Sequence, residues 1–178
     1  IHDPIRQEAF PVINSLKRAG ISKVVMMTGD SERTARAVAA QIGVDEYYSE
    51  VLPEDKAGFV EREKAAGRKV IMIGDGINDS PALSAADVGI AISDGAEIAR
   101  EIADVTIGAD NLYEIVTLKA ISNGLMKRIH KNYRSIILIN AGLIALGVTG
   151  IIQPTTSALL HNTSTLVIGL KSMQNLID

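Results

Sequence analysis

The chain has 178 residues, 47% of them hydrophobic but only 3% aromatic, and a formal charge of −3. That length holds one ordinary domain, or a smaller domain with an appendage, and the composition suits an aliphatic core. Residues 1–124 carry 13 Lys and Arg against 20 Asp and Glu, whereas 125–178 carry 5 against 1, which excludes a nucleic-acid surface on the first section and puts the two in different surroundings.

Cysteine is absent, so there is neither a disulfide framework nor a thiolate metal site. The opening Ile1-His2-Asp3-Pro4 has no initiator Met and no signal-peptide pattern. It reads as an internal start, and a piece of a longer protein is expected. In chain order, 6–19 has helical spacing and closes at Gly20, and Lys23 to Met27 is a short apolar strand. Ser31 caps a helix over 31–42 that stops at Gly43, and Pro53 opens another over 53–66 that stops at Gly67. Strands follow at 69–73 and 88–92, with a short helix over 78–86 between them. Strands that are apolar throughout and separated by helices predict an α/β fold, a parallel sheet with helices on both faces. Ligands in such sheets sit beyond the carboxyl ends of the strands.

The character changes after about residue 110. Residues 111–131 read as a helix ending in the basic cluster Lys127, Arg128, His130, Lys131 and Arg134. Ser135 to Ile152 then runs 18 residues without a charge, the lower edge for a membrane span. A Gln153-Pro154 turn follows, and 155–170 is again uncharged before Lys171. Cations flanking both runs on one side fit the positive-inside rule for a transmembrane hairpin; two buried helices of a soluble domain are the alternative. The expected division is 1–110, a linking helix over 111–134, and two transmembrane helices over 135–178. Residues 1–134 would be cytoplasmic, the protein integral to the plasma membrane, and membrane lipid a partner.

Chemistry concentrates at two strand ends. In Gly74-Asp75-Gly76-Ile77-Asn78-Asp79-Ser80-Pro81, a carboxylate just after a strand, between glycines, can hold Mg²⁺ while water and phosphate complete its shell. Asp75 is the preferred ligand, Asn78 a donor to a phosphoryl oxygen, and Asp79 a group that orients the metal shell or a neighbouring cation. The bland alternative is a helix start capped by Asn78 or Asp79. Thr28-Gly29-Asp30 offers a hydroxyl and backbone N–H groups before a helix, where phosphate is attracted. Lys56 stands early in its helix, against the dipole, as expected of a lysine that pairs with phosphate and carboxylates.

Together these segments resemble the haloacid-dehalogenase-like superfamily, a Rossmann-type fold. More narrowly, the 19 residues GDGINDSPALSAADVGIAI resemble the hinge-to-phosphorylation-domain signature of P-type ATPases, and Asp3-Pro4-Ile5-Arg6 resembles that family's D-P-x-R stretch. The resemblance covers residues 1–110, and two spans after it fit the heavy-metal group, whereas calcium and sodium pumps have more. It implies an ATP-driven cation pump that forms an aspartyl phosphate. Thr28 and Gly29 would bind the phosphoryl group, Asp30 support their loop, Lys56 neutralise phosphoryl charge, Asp75 ligate Mg²⁺, and Asn78 and Asp79 complete the site. The nucleophilic D-K-T-G is absent from the 178 residues, and so are nucleotide-binding and further transmembrane parts, so the chain by itself should be inactive. A soluble phosphatase of the same superfamily would need a D-x-D near its start, which is also absent. A catalytically inactive membrane-anchored fragment is the other alternative.

For the ion, His161-Asn162-Thr163-Ser164-Thr165 resembles the H-E-G-G-T pattern of one heavy-metal subgroup, with Asn162 replacing the acid. Asn140 resembles the asparagine of the copper pumps' Y-N pair, with Ile139 replacing the tyrosine. Polar groups inside a bilayer mark a pathway, and imidazole suits Zn²⁺, Co²⁺ or Ni²⁺. His161, Ser164, Thr165 and Asn140 are the candidate ligands for a transported divalent or transition-metal cation; hydrogen bonds that stitch the helices together are the alternative.

Overall fold

Each apolar run expected as a strand pairs in parallel with a neighbour. The computed structural model describes residues 5–74, 78–92, 101–108 and 111–176, which fall into two units, Ile1–Leu118 and Lys119–Asp178. The first unit runs α1 (Ala9–Arg18), β1 (Val25–Met27), α2 (Glu32–Ile42), β2 (Glu46–Tyr48), α3 (Pro53–Ala65), β3 (Ile71–Gly74), α4 (Ser80–Ala85), β4 (Val88–Ile92) and β5 (Val105–Ile107), then enters α5 (Tyr113–Val148). Among the described residues there are two parallel sheets, β1-β2 and β3-β4-β5, where one was expected. β1 and β3 are not paired with each other.

The alternation of β3 and β4 explains the layers. Val88, Ile90 and Ile92 face one side with Ile73, packing on Val12 and Leu16 of α1 and on Ile115 at the start of α5. Met72 faces the other side, against Val60 of α3 and Ala82 and Leu83 of α4. Helices therefore cover both faces, as the period-two pattern requires. Gly89 points toward α4, where a Cβ would lie 2.8 Å from the Leu83 carbonyl oxygen; only a residue without one lets the helix sit this close. Gly43 ends α2 in the left-handed conformation, its N–H donating to the Ala39 carbonyl. Ser31 holds the N-cap position of α2, but its hydroxyl meets Thr34 Oγ1 and makes no capping bond.

Carboxylates recur at the amino ends of the strands. Asp45, just before β2, accepts from Val24 N–H, just before β1, at 2.7 Å, and from Lys17 Nζ at 2.7 Å. Asp87, just before β4, accepts from Val70 N–H, just before β3, at 3.0 Å, and from Lys69 Nζ at 2.9 Å. Asp104, just before β5, accepts from Gly89 N–H at 2.8 Å. Each satisfies a backbone donor that the ladder leaves over. The Lys17 ammonium, then the Val24 N–H, hold the Asp45 carboxyl below its ordinary range. For Asp87 the order reverses, the Val70 N–H acting before Lys69.

In the second unit the basic segment and the first uncharged run are one continuous helix, α5, rather than two. Residues 131–135 contain neither Pro nor Gly, so nothing breaks it. Arg128 clamps the end of α6 (Pro154–Ser172): Nη1 donates to the Ser172 carbonyl at 2.9 Å and to that of Gln174, and Nη2 to that of Asn175 at 2.7 Å. Asn132 Nδ2 adds a bond to Ser172 Oγ at 2.6 Å. A guanidinium thus satisfies carbonyls that the helix end leaves open.

The expected transmembrane hairpin appears as these two helices, but among the described residues no helix is long and apolar enough to cross a membrane. Two causes are visible. The uncharged run leaves the helix after Val148, so residues 135–148 supply only ~21 Å of uncharged helix. In α6, the polar string His161 to Thr165 interrupts the apolar surface.

Candidate functional site

The carboxyl ends of β1 and β3 carry the two segments singled out in the sequence. β3 ends at Gly74; Asp75, the preferred Mg²⁺ ligand, lies outside the described residues, and the description resumes at Asn78. Asn78 is exposed. Asp79 is buried and occupies the N-cap position of α4, yet its carboxylate makes no capping bond. Its Oδ1 instead accepts from Lys56 Nζ at 2.7 Å. The two side chains are 15% and 12% exposed, the most sequestered ion pair among the described residues. The arrangement answers the capping alternative: the residue stands where a cap would, and its charge is spent on a lysine 23 residues away.

Gly74 is part of the same arrangement. A Cβ there would lie 2.7 Å from Asp79 Cβ and 2.9 Å from Cγ, with Oδ2 nearest of all. The strand end and the carboxylate can touch only because residue 74 has no side chain. The sequence marks Gly74 as one of the glycines flanking Asp75 but not its close approach to Asp79, and the signal that could have found it is its place directly before the acidic turn.

The Thr28–Asp30 segment forms a self-bonded turn. Thr28 Oγ1 donates to Asp30 Oδ2 at 3.0 Å and accepts from Asp30 N–H at 3.1 Å. The loop after β2 pins it: Val51 N–H donates to the Thr28 carbonyl at 3.0 Å and Glu50 N–H to the Asp30 carbonyl at 2.9 Å. Glu50 has a positive φ of 53°, an uncommon conformation for a residue with a side chain. Nothing in the sequence marked it. Gly29 is open, with only the Val51 carbonyl oxygen near a built Cβ, at 3.9 Å. Among the described residues no hydrogen bond links this turn to Lys56 or Asp79, although Met27, which precedes it, packs with Val60, Met72, Ala82 and Leu83.

The oxygen donors here suit a hard cation. Asp79 keeps Oδ2 off the lysine and beside the strand end that Asp75 follows. Among the described residues no three His, Cys, Asp or Glu side chains converge on one point.

In the second unit the structure brings His161 and Asn140 together across α5 and α6, His161 Nδ1 lying 2.8 Å from Asn140 Oδ1. An amide oxygen only accepts, so Nδ1 is the donor here, and in the neutral imidazole that makes Nε2 the nitrogen with a lone pair. Ser164 and Thr165 donate to the His161 carbonyl at 2.8 and 3.0 Å. Their hydroxyls are therefore occupied along their own helix rather than turned to the imidazole.

Comparison with known proteins bears on the family and the fold. The family model of the haloacid dehalogenase-like hydrolases matches residues 1–87. A manganese-exporting P-type ATPase of Mycobacterium leprae is 38% identical over 94% of the chain, and a probable copper-importing P-type ATPase of Enterococcus hirae is 41% identical over 86%. The chain spans 23% and 21% of those relatives' lengths. The crystal structure of a zinc-transporting PIB-type ATPase in an E2.Pi state superposes with a TM-score of 0.81 at 31% identity, covering 99% of this chain and 29% of that one. The chain thus carries a haloacid-dehalogenase-like domain and is, over nearly its whole length, a close homologue of part of the heavy-metal P-type ATPases.

Proposed function

We propose that the chain supplies the Mg²⁺- and phosphoryl-binding half of an aspartyl-phosphate site, together with the last two membrane helices, of an ATP-driven metal-cation pump. The observation that carries this reading is the Lys56–Asp79 pair: a sequestered cation held at a strand's carboxyl end by a carboxylate that forgoes capping its own helix. Phosphoryl transfer depends on positioning and on neutralising charge, and Lys56 is the cation placed to do it. Thr28 and Gly29 would receive the phosphoryl oxygens, and Asp30 holds their turn. Asp75 would hold Mg²⁺, with Asp79 orienting its shell and Asn78 donating to phosphate; the ion, when bound, would screen the charge of the transferred group. The two open sheets support a position for the nucleophile. A strand entering between β1 and β3 would pair with both, and its end would fall between Thr28 and Gly74.

The reading places α5 and α6 in the membrane. Residues 135–170 contain no Asp, Glu, Lys or Arg, and their apolar side chains are widely exposed, Leu138 and Ile144 among them. Lys131 and Arg134 can extend the span by snorkelling. His161, with its proton turned to Asn140, offers Nε2 to a transition-metal ion. That hydrogen bond also orients the ring, as partners of metal-bound imidazoles do.

The test uses a polypeptide joining this chain to the D-K-T-G-bearing sequence expected upstream. Lys56→Ala should abolish labelling by γ-phosphate-labelled ATP, and undiminished labelling would defeat the site assignment. His161→Ala should abolish metal-stimulated ATP hydrolysis, and unchanged stimulation by Zn²⁺, Co²⁺, Cd²⁺ and Mn²⁺ would defeat the transport assignment. The chain alone should leave p-nitrophenyl phosphate intact; turnover would favour the phosphatase alternative.

A further inference from the structure

The basic cluster of α5 divides into one cation the protein uses and several it does not. Arg128 is half-buried and committed to the carbonyls at the end of α6. Lys127, Lys131 and Arg134 are exposed, with no ion pair or side-chain hydrogen bond among the described residues. They share a shallow concavity of about 780 Å³ with His130, Met126 and Leu138. The lining positions recur at i, i+3, i+4 and i+7, as at 127, 130, 131 and 134, so they form one stripe along the helix.

No acidic side chain among the described residues of the unit balances this charge. No Asp or Glu occurs from Ile115 to Ile177, so neither α5 beyond its first turn nor α6 offers a counter-ion. Like charges four residues apart, as at Lys127 and Lys131, disfavour a helix by themselves and become favourable only against an external anion. His130 Nδ1 donates to the Met126 carbonyl at 2.8 Å, which ties the ring to its own helix and leaves the charge of the stripe to the two lysines and Arg134. The stripe runs into uncharged helix at Leu138, and Tyr133, 64% exposed, stands at the same level, where aromatic side chains mark a membrane interface.

We propose that Lys127, Lys131 and Arg134 form a binding surface for the headgroups of anionic phospholipids. This rests on the membrane reading of α5 and α6. A bilayer is favoured over a soluble anion because the charged stripe is continuous with exposed apolar surface, so one ligand must offer an anionic head and acyl chains together.

The chain has no cysteine, so Leu138→Cys can carry a single fluorophore in the full chain reconstituted into lipid nanodiscs. Brominated phosphatidylglycerol should quench at a mole fraction about fivefold lower than brominated phosphatidylcholine. Replacing Lys127, Lys131 and Arg134 by Gln should make the two curves coincide, with helix content unchanged by circular dichroism. Equal quenching by both lipids in the otherwise unsubstituted chain would overturn the headgroup surface and leave the membrane reading standing. Quenching by neither would overturn both. A preference that survives the triple substitution would also overturn the proposal, because the selectivity would lie elsewhere.

Discussion

The two ends of the strands use the same chemistry, an aspartate beside a lysine, to opposite effect. At the amino ends, Asp45 with Lys17 and Asp87 with Lys69 are partly exposed, and each carboxylate also accepts a backbone N–H of the neighbouring strand. Such a group is a fastener: its geometry is fixed by the ladder, and its lysine is a screened accessory. At the carboxyl end, Asp79 takes no backbone donor at its helix and gives Oδ1 to the enclosed Lys56. A charge pair kept from water without structural need marks a place where charge is required. An acidic residue beside a basic one therefore says little until it is known which end of the strand it occupies.

The contrast can be broken by substitution. Asp79→Asn keeps the shape and removes the charge that holds Lys56; in the joined polypeptide the rate of phosphoenzyme formation should fall by about 10²–10³. Asp87→Asn should leave that rate unchanged, and equal losses would erase the distinction. Gly74→Ala drives a methyl into the Asp79 carboxylate and should destabilise the first unit by about 1–3 kcal/mol, read as a lowered urea midpoint. An unmoved midpoint would mean that the strand end yields freely.

The smallest effect is the pH response of the amino ends. The folded-state carboxyls of Asp45 and Asp87 lie below their ordinary range. Their stabilisation is then fully present above the unfolded-state value near 4 and is lost as pH falls through the lower folded value. A urea midpoint followed from pH 6 to 2 should decline across that window, less steeply in Asp87→Asn. An unchanged slope would remove Asp87 from the linkage.

Legibility in the sequence followed the range of the interaction. Three of the five strands among the described residues were readable because runs such as Val70-Ile71-Met72-Ile73 are apolar throughout. β2 is three residues, Glu46-Tyr47-Tyr48, mostly exposed at a sheet edge, and β5 is equally short; neither has an apolar run long enough to stand out. Lys56 was legible as a cation against a helix dipole, but its partner lies on another element. The fasteners at Asp45, Asp87 and Asp104 bridge 21, 17 and 15 residues, and no local pattern announces them. The join within α5 was missed because a change in polarity was taken for a boundary, although no helix-breaking residue stood there.

The split between the two sheets also governs how the chain should behave as a material. β1 and β3 each have a partner on only one side among the described residues, and strand edges of that kind recruit other strands. Expressed by itself, the chain should self-associate through them as its concentration rises. A peptide carrying the strand proposed to enter between them should then act first as a solubiliser, suppressing light scattering before any phosphate is transferred.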